Sequence, residues 1–148
     1  MRSHVQGLED GLSRAELEKL RELLSPAECA EGERLCTEGT APSGLYIIRE
    51  GVVSVTKKDN SGEDRCLANI EAPTVIGEVE FINHGESVAT VTAATDLKAD
   101  LLSLENFDRL HELGPMGGAK FVRNIARILV RRLEHANTLY ADVVDWSR

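Results

Sequence analysis

The apolar positions of this chain change period twice. Over residues 14–24 they recur at helical spacing, with Leu17, Leu20, Leu23 and Leu24 on one face. Ser13 and Glu16 have the spacing of a capping box, in which each side chain satisfies an amide at the helix start. A helix is therefore predicted over 14–24, ending before Pro26. From there to about residue 103 short apolar runs alternate with turn residues: Gly32, Gly39, Pro42 with Gly44, Gly51, then Asp59, Asn60, Ser61 and Gly62. Such spacing predicts an all-β roll or sandwich. Val53, Val55 and Lys57 alternate with Val52, Ser54, Thr56 and Lys58, as in a strand with one wetter face running into a hairpin turn at 60–62. Residues 66–70, 88–94 and 97–104 are further predicted strands.

The helical period returns after Ser103, which suits an N-cap for a helix over 104–113 that stops at Gly114-Pro115. A long helix is then predicted over 116–143. Val122, Ile125, Leu129, Leu133, Ala136, Tyr140 and Val143 recur on it at spacings of three and four, and Phe121 and Ile128 lie to one side. The side stripe is expected to pack on the β-roll and the seam to pair with a second copy of the chain. In the alternative, both stripes bury against the same domain. Residues 1–11, polar and carrying Gly7 and Gly11, are expected to be loosely held. Residues 12–148 then make one domain, including a dimerisation helix over 116–143.

A length of 148 residues with 42% hydrophobic content suits one compact domain with a core of its own. The net charge of −8 argues against nucleic acid as a partner, because polyanions are repelled. Apolar runs are only a few residues long, and the N-terminus lacks a charged segment followed by an apolar one. The expected location is cytoplasmic, without a membrane partner. Cys29, Cys36 and Cys66 have neither the parity of a disulfide framework nor the spacing of a zinc site. His4, His84, His111 and His135 are scattered, whereas a metal-dependent jelly-roll enzyme needs clustered ligands. No catalytic residue, metal ligand or cofactor is expected. Lys120, Arg123, Arg127 and Arg131, with Arg132 beside them, form a basic stripe that reads as a solvated helix face or as a dock for an acidic protein partner.

Three segments carry a resemblance: 32–39 (GERLCTEG), 44–53 (GLYIIREGVV) and 77–91 (GEVEFINHGESVATV). In this order and at these separations they resemble the cyclic-nucleotide-binding domain family over about residues 12–140, the last segment resembling its phosphate-binding cassette. Val130-Arg-Arg-Leu133 is similar to the long helix of bacterial catabolite-activator-type regulators. The resemblance implies a mainly β fold: a jelly-roll-like β-roll with an N-terminal helix, a short cassette helix over 77–82 and a long C-terminal helix. Val79, Phe81 and Ile82 are then expected to anchor the cassette helix to the roll. The implied ligand contacts are Gly77, Glu78, Val79, Ser87, Val88, Ala89 and Thr90, with Glu78 accepting a hydrogen bond from the ribose 2′-hydroxyl and Asn137 near the purine.

One position departs from the pattern. The family's phosphate-gripping arginine is replaced by Ser87, which has one neutral hydroxyl where a guanidinium offers a charged fork. Loss of a charge-assisted hydrogen bond worth ~1.5–3 kcal/mol lowers affinity by roughly ten- to a few hundredfold. Glu80 and Glu86 add negative charge to the cassette. Other cations available by sequence are His84, Arg49, Arg65 and Lys98. The expectation is a non-catalytic, homodimeric regulatory module in which ordinary cyclic AMP or GMP binds weakly or not at all. A cyclic nucleotide or a related small anion remains the candidate effector. The alternative is a vestigial pocket on a scaffold or dimerisation subunit that acts through protein contacts.

Overall fold

A computed structural model describes residues 5–146. Ser13 accepts the Glu16 amide and Glu16 accepts the Ser13 amide, so the capping box forms and opens α1 (Arg14–Leu23). Eight strands follow: β1 (Ser25–Cys29), β2 (Arg34–Cys36), β3 (Gly44–Glu50), β4 (Val52–Lys58), β5 (Asp64–Glu71), β6 (Thr74–Ile76), β7 (Thr90–Ala93) and β8 (Leu97–Ser103). The cassette helix α2 (Glu78–Asn83) lies between β6 and β7. After β8 come α3 (Leu104–Phe107), a 3-10 turn (Leu110–Leu113) and the long α4 (Gly117–Trp146).

The strands form two four-stranded antiparallel sheets, in the orders β1-β8-β3-β6 and β2-β7-β4-β5. In the first, β3 is buried on both faces over most of its length, and the alternation of its side chains shows how. Leu45 and Ile47 point to the helices and join Leu20, Leu23, Phe81, Phe121 and Ile125 in one core. Tyr46 and Ile48 point to the other sheet and join Val53, Val91 and Ala93 in a second. The mainly β roll with flanking helices is the fold expected from the sequence.

Three local expectations change. The segment predicted as one helix over 104–113 is split, with Ser103 capping α3 as expected and the 3-10 turn following. Side chains three apart eclipse in a 3-10 turn, so Leu110 and Leu113 both reach the helical core, at 5% exposure each. Residues 5–11, expected to be loosely held, make contacts with the fold: Leu8 is 3% exposed, and the amide of buried Asn124 on α4 donates to the Leu8 and Asp10 carbonyls, both at 2.9 Å. Residues 1–4 lie outside the described part of the chain.

The seam of α4 is the third. Phe121 and Ile128 bury against the roll as expected, but Ile125 is fully buried with them, and Val122 and Leu129 are half-buried. Leu133, Ala136 and Tyr140 are exposed. The first half of the seam therefore serves this domain's own core and only the second half faces outward. The Val143 side chain lies outside the described residues.

Candidate functional site

Gly77 sets the entry to the cassette. Its φ is 86°, and a Cβ there would lie 2.7 Å from the Gly44 carbonyl oxygen, so both the left-handed backbone and the close approach of β3 require glycine. The turn launches α2, whose Phe81 is fully buried and meets Phe107 edge to face at 4.8 Å. Val79 and Ile82, expected to be further anchors, are exposed instead. Of the apolar side chains on this six-residue helix only Phe81 is buried, and the other buried positions are Glu78 and Glu80.

Beside the cassette lies a cavity of about 160 Å³. Gly77, Glu78, Val79, Val88 and Ala89, expected at the site, are in its wall, together with Cys36, Val55, Glu80 and Arg132. Ser87 is 3% exposed and is not in the wall; its hydroxyl makes no hydrogen bond of ordinary geometry and interacts with the Cys36 thiol. Thr90 is half-buried and accepts the Glu38 amide at 3.0 Å. Asn137 is exposed on α4 and is not in the wall.

The cation in this wall comes from the far end of the chain. Arg132 pairs with the carboxylate of Glu78, and its other nitrogen donates to Thr74 Oγ1 at 2.9 Å and to the Val75 carbonyl at 3.0 Å. Glu78 is 7% exposed, so the guanidinium is what makes burial of its charge tolerable. The sequence carried a signal for this: Phe121, Ile125, Ile128 and Arg132 follow one another at four, three and four. An arginine that continues a buried stripe needs an anion opposite it.

The other cations are engaged elsewhere. Arg49 pairs with Asp100, Arg65 with Asp59, and Lys98 faces Glu50 at 3.8 Å. His84 caps α2 at φ 55° and lies against Phe107. Lys57 grips the rim of the cassette, donating to the Val88 carbonyl at 2.6 Å with Glu38 at 3.3 Å. Inside the wall, burial and then the charge of Glu80 push the Cys36 thiol up to about 11. Glu86 is exposed, whereas Glu80 is buried, 7% exposed, and accepts the Val88 amide at 3.0 Å. Of the two acids suspected of repelling an anion, Glu80 is the one placed to do so.

No described helix is long and apolar enough to cross a membrane. The chain is 37% identical over 101 residues to the cAMP-dependent protein kinase regulatory subunit of Yarrowia lipolytica, which covers 68% of this chain and 26% of that protein. It thus spans about a quarter of the length of that curated relative. Among solved structures, it is similar to the regulatory subunit of a cAMP-independent protein kinase A from Trypanosoma cruzi bound to guanosine, with a TM-score of 0.69 and 27% identity over 94% of this chain and 50% of that one. The corresponding subunit from Trypanosoma brucei matches with a TM-score of 0.71 and 26% identity over 92% and 46%. That structure is a variant bound to cAMP in which a glutamate, a threonine and a valine, seven and then one residue apart, are replaced by alanine, arginine and alanine. Glu80, Ser87 and Val88 have the same separations and nearly the same side chains. The family described as the cyclic nucleotide-binding domain matches residues 26–113, more than half of the sequence, and with the fold and the cassette described above this chain belongs to it.

Proposed function

We propose that the domain is a non-catalytic regulatory sensor whose altered cassette refuses cyclic AMP and cyclic GMP and takes an uncharged purine nucleoside. The observation that carries this reading is the state of the pocket's charges. Ser87 is neutral and buried, Arg132 is committed to Glu78, and Glu80 adds a buried carboxylate. A phosphate entering such a wall meets repulsion without a free fork to grip it. A nucleoside brings hydroxyl donors, which carboxylates accept. The guanosine found in the Trypanosoma cruzi relative supports the same ligand class, as does the Glu80, Ser87, Val88 pattern.

At about 160 Å³ the cavity is smaller than the ~300–1,000 Å³ of ordinary small-molecule sites, so a nucleoside needs Arg132 to move. Hydroxyls that claim Glu78 release Arg132, and with it the hold of the cassette on α4. Ligand capture becomes helix movement because the ligand binds one arrangement better than the other. Calorimetry with guanosine, cyclic AMP and cyclic GMP tests the reading. Guanosine is expected to bind with a Kd of about 10 μM or tighter, and the cyclic nucleotides at least about 100-fold more weakly. Tighter binding of cyclic AMP than of guanosine overturns it.

The same reading includes homodimerisation through the outer half of α4, where Val130, Leu133 and Tyr140 are 51%, 61% and 72% exposed. Three free thiols suit the reducing cytoplasm expected for such a regulator. That exposed strip also favours the second reading, a dimerisation or scaffold subunit with a vestigial pocket, which failure of every nucleoside and nucleotide to bind would select.

A further inference from the structure

A second cleft, of about 470 Å³, lies outside the cassette and shares no wall residue with its cavity. Its wall is made by Arg21 and Leu24 at the end of α1, Pro26 of β1, Arg49 of β3 and Asp100 of β8. Asp100 stands between Pro26 and Ile47 in the strand register, so it takes the face of the sheet that packs on the helices. Arg49 is the extra residue where the β3–β8 register shifts between Ile48 and Glu50, and such a bulge re-aims a side chain. Here it meets Asp100. Arg49 Nε donates to Asp100 Oδ2 at 2.6 Å and Nη2 pairs with the same oxygen, so Nη1 and Oδ1 have no hydrogen-bond partner among the described residues. A bidentate pair uses both oxygens, whereas this one leaves a donor and an acceptor over. Arg21, exposed in the last turn of α1, makes no ion pair among the described residues. The helix C-terminus favours a cation there and leaves its fork free.

We propose that this cleft binds a small neutral α-amino acid as its zwitterion. The ligand's carboxylate takes the fork of Arg21 and Nη1 of Arg49, its ammonium donates to Oδ1 of Asp100, and an apolar side chain lies on Leu24 and Pro26. Charge selects this class. A phosphate or a dicarboxylate meets Asp100 as well as the arginines, and a simple amine meets the arginines as well as Asp100. Only a ligand that carries both signs satisfies both. The cleft has the ~300–1,000 Å³ of ordinary small-molecule sites. Nothing in it rests on the nucleoside reading of the cassette.

Calorimetry with L-leucine tests the proposal, beside L-leucinamide, which lacks the carboxylate, isocaproate, which lacks the ammonium, and inorganic phosphate. The unmutated protein is expected to bind L-leucine with a Kd of about 1 mM or tighter, and each of the others at least ~10-fold more weakly. Arg21→Ala is expected to weaken L-leucine at least ~10-fold while leaving the melting temperature nearly unchanged, because this side chain is exposed and unpaired in the fold. Asp100→Asn is expected to weaken L-leucine as well; where loss of the Arg49 pair unfolds that variant, the isocaproate comparison on the unmutated protein carries the same point. Isocaproate or phosphate binding as tightly as L-leucine overturns the proposal. So does an L-leucine affinity untouched by Arg21→Ala, or no L-leucine binding at roughly 10 mM.

Discussion

Two side chains of the pocket wall differ only in what lies opposite them. Glu78 and Glu80 are equally buried and two residues apart on α2, yet Glu78 faces a guanidinium and Glu80 faces an amide. The first therefore joins α2 to α4, and the second stays within the cassette. Cys36 reports on that field. With its thiol near 11, only about one molecule in a thousand is a thiolate at pH 8, and the thiolate is the reacting species. Alkylation with iodoacetamide at pH 8, followed by mass spectrometry, is expected to label exposed Cys66 while Cys36 stays unmodified. Labelling of Cys36 at a comparable rate would mean that the wall around Glu80 opens to solvent.

Among the elements, the β4–β5 hairpin shows how a turn is held by one carboxylate. Asp59 accepts the Ser61 hydroxyl at 2.6 Å, the Ser61 amide at 2.9 Å, the Glu63 amide at 3.1 Å and Arg65 Nε at 2.8 Å. The Ser61 hydroxyl first, and then Arg65, hold its pKa down at about 2, below the ordinary 3.8. A depressed carboxyl contributes stability that is complete above its unfolded value and is lost as pH falls through the folded one. The turn is thus expected to stay ordered at pH 4 and to loosen as pH falls toward 2, and Asp59→Asn is expected to remove that pH dependence. An NMR titration of the Asp59 carboxyl and the Gly62 amide checks both. The turn itself was legible from Asp59-Asn60-Ser61-Gly62, as was the capping box of α1, because both are made by residues within five positions of one another. The break between α3 and the 3-10 turn was not. It is decided by the helical core, which draws Leu110 and Leu113 to one side.

At the scale of the whole molecule, α4 is where own-domain packing ends and an exposed apolar strip begins. Leu129 is half-buried against its own domain, so a charge there disturbs folding as well as pairing; Leu133, at 61% exposure, separates the two. Leu133→Glu is expected to leave the melting temperature of the fold nearly unchanged and to shift a dimer toward monomer in sedimentation at tens of micromolar, a concentration of order suited to a modest interface. An unmutated protein already monomeric there would refute pairing through this strip. By itself the sequence determined the succession of helix, glycine-punctuated strands and long helix, since each rests on local periodicity, caps and turns, and it made the cassette legible through its resemblance to a family. It also determined that the cassette lacks its arginine, since that is a matter of one residue in a recognisable segment. Only the tertiary structure decided that Arg132 supplies the pocket's cation, that Asn124 ties Leu8 and Asp10 to α4, that Ile125 belongs to this domain's core, and that Glu80 rather than Glu86 is in the pocket wall. The physical reason is common to all four. A period fixes which side chains share a face, but what stands opposite that face is brought there by residues 50 to 120 positions away along the chain, or by the direction in which a short helix leaves its turn.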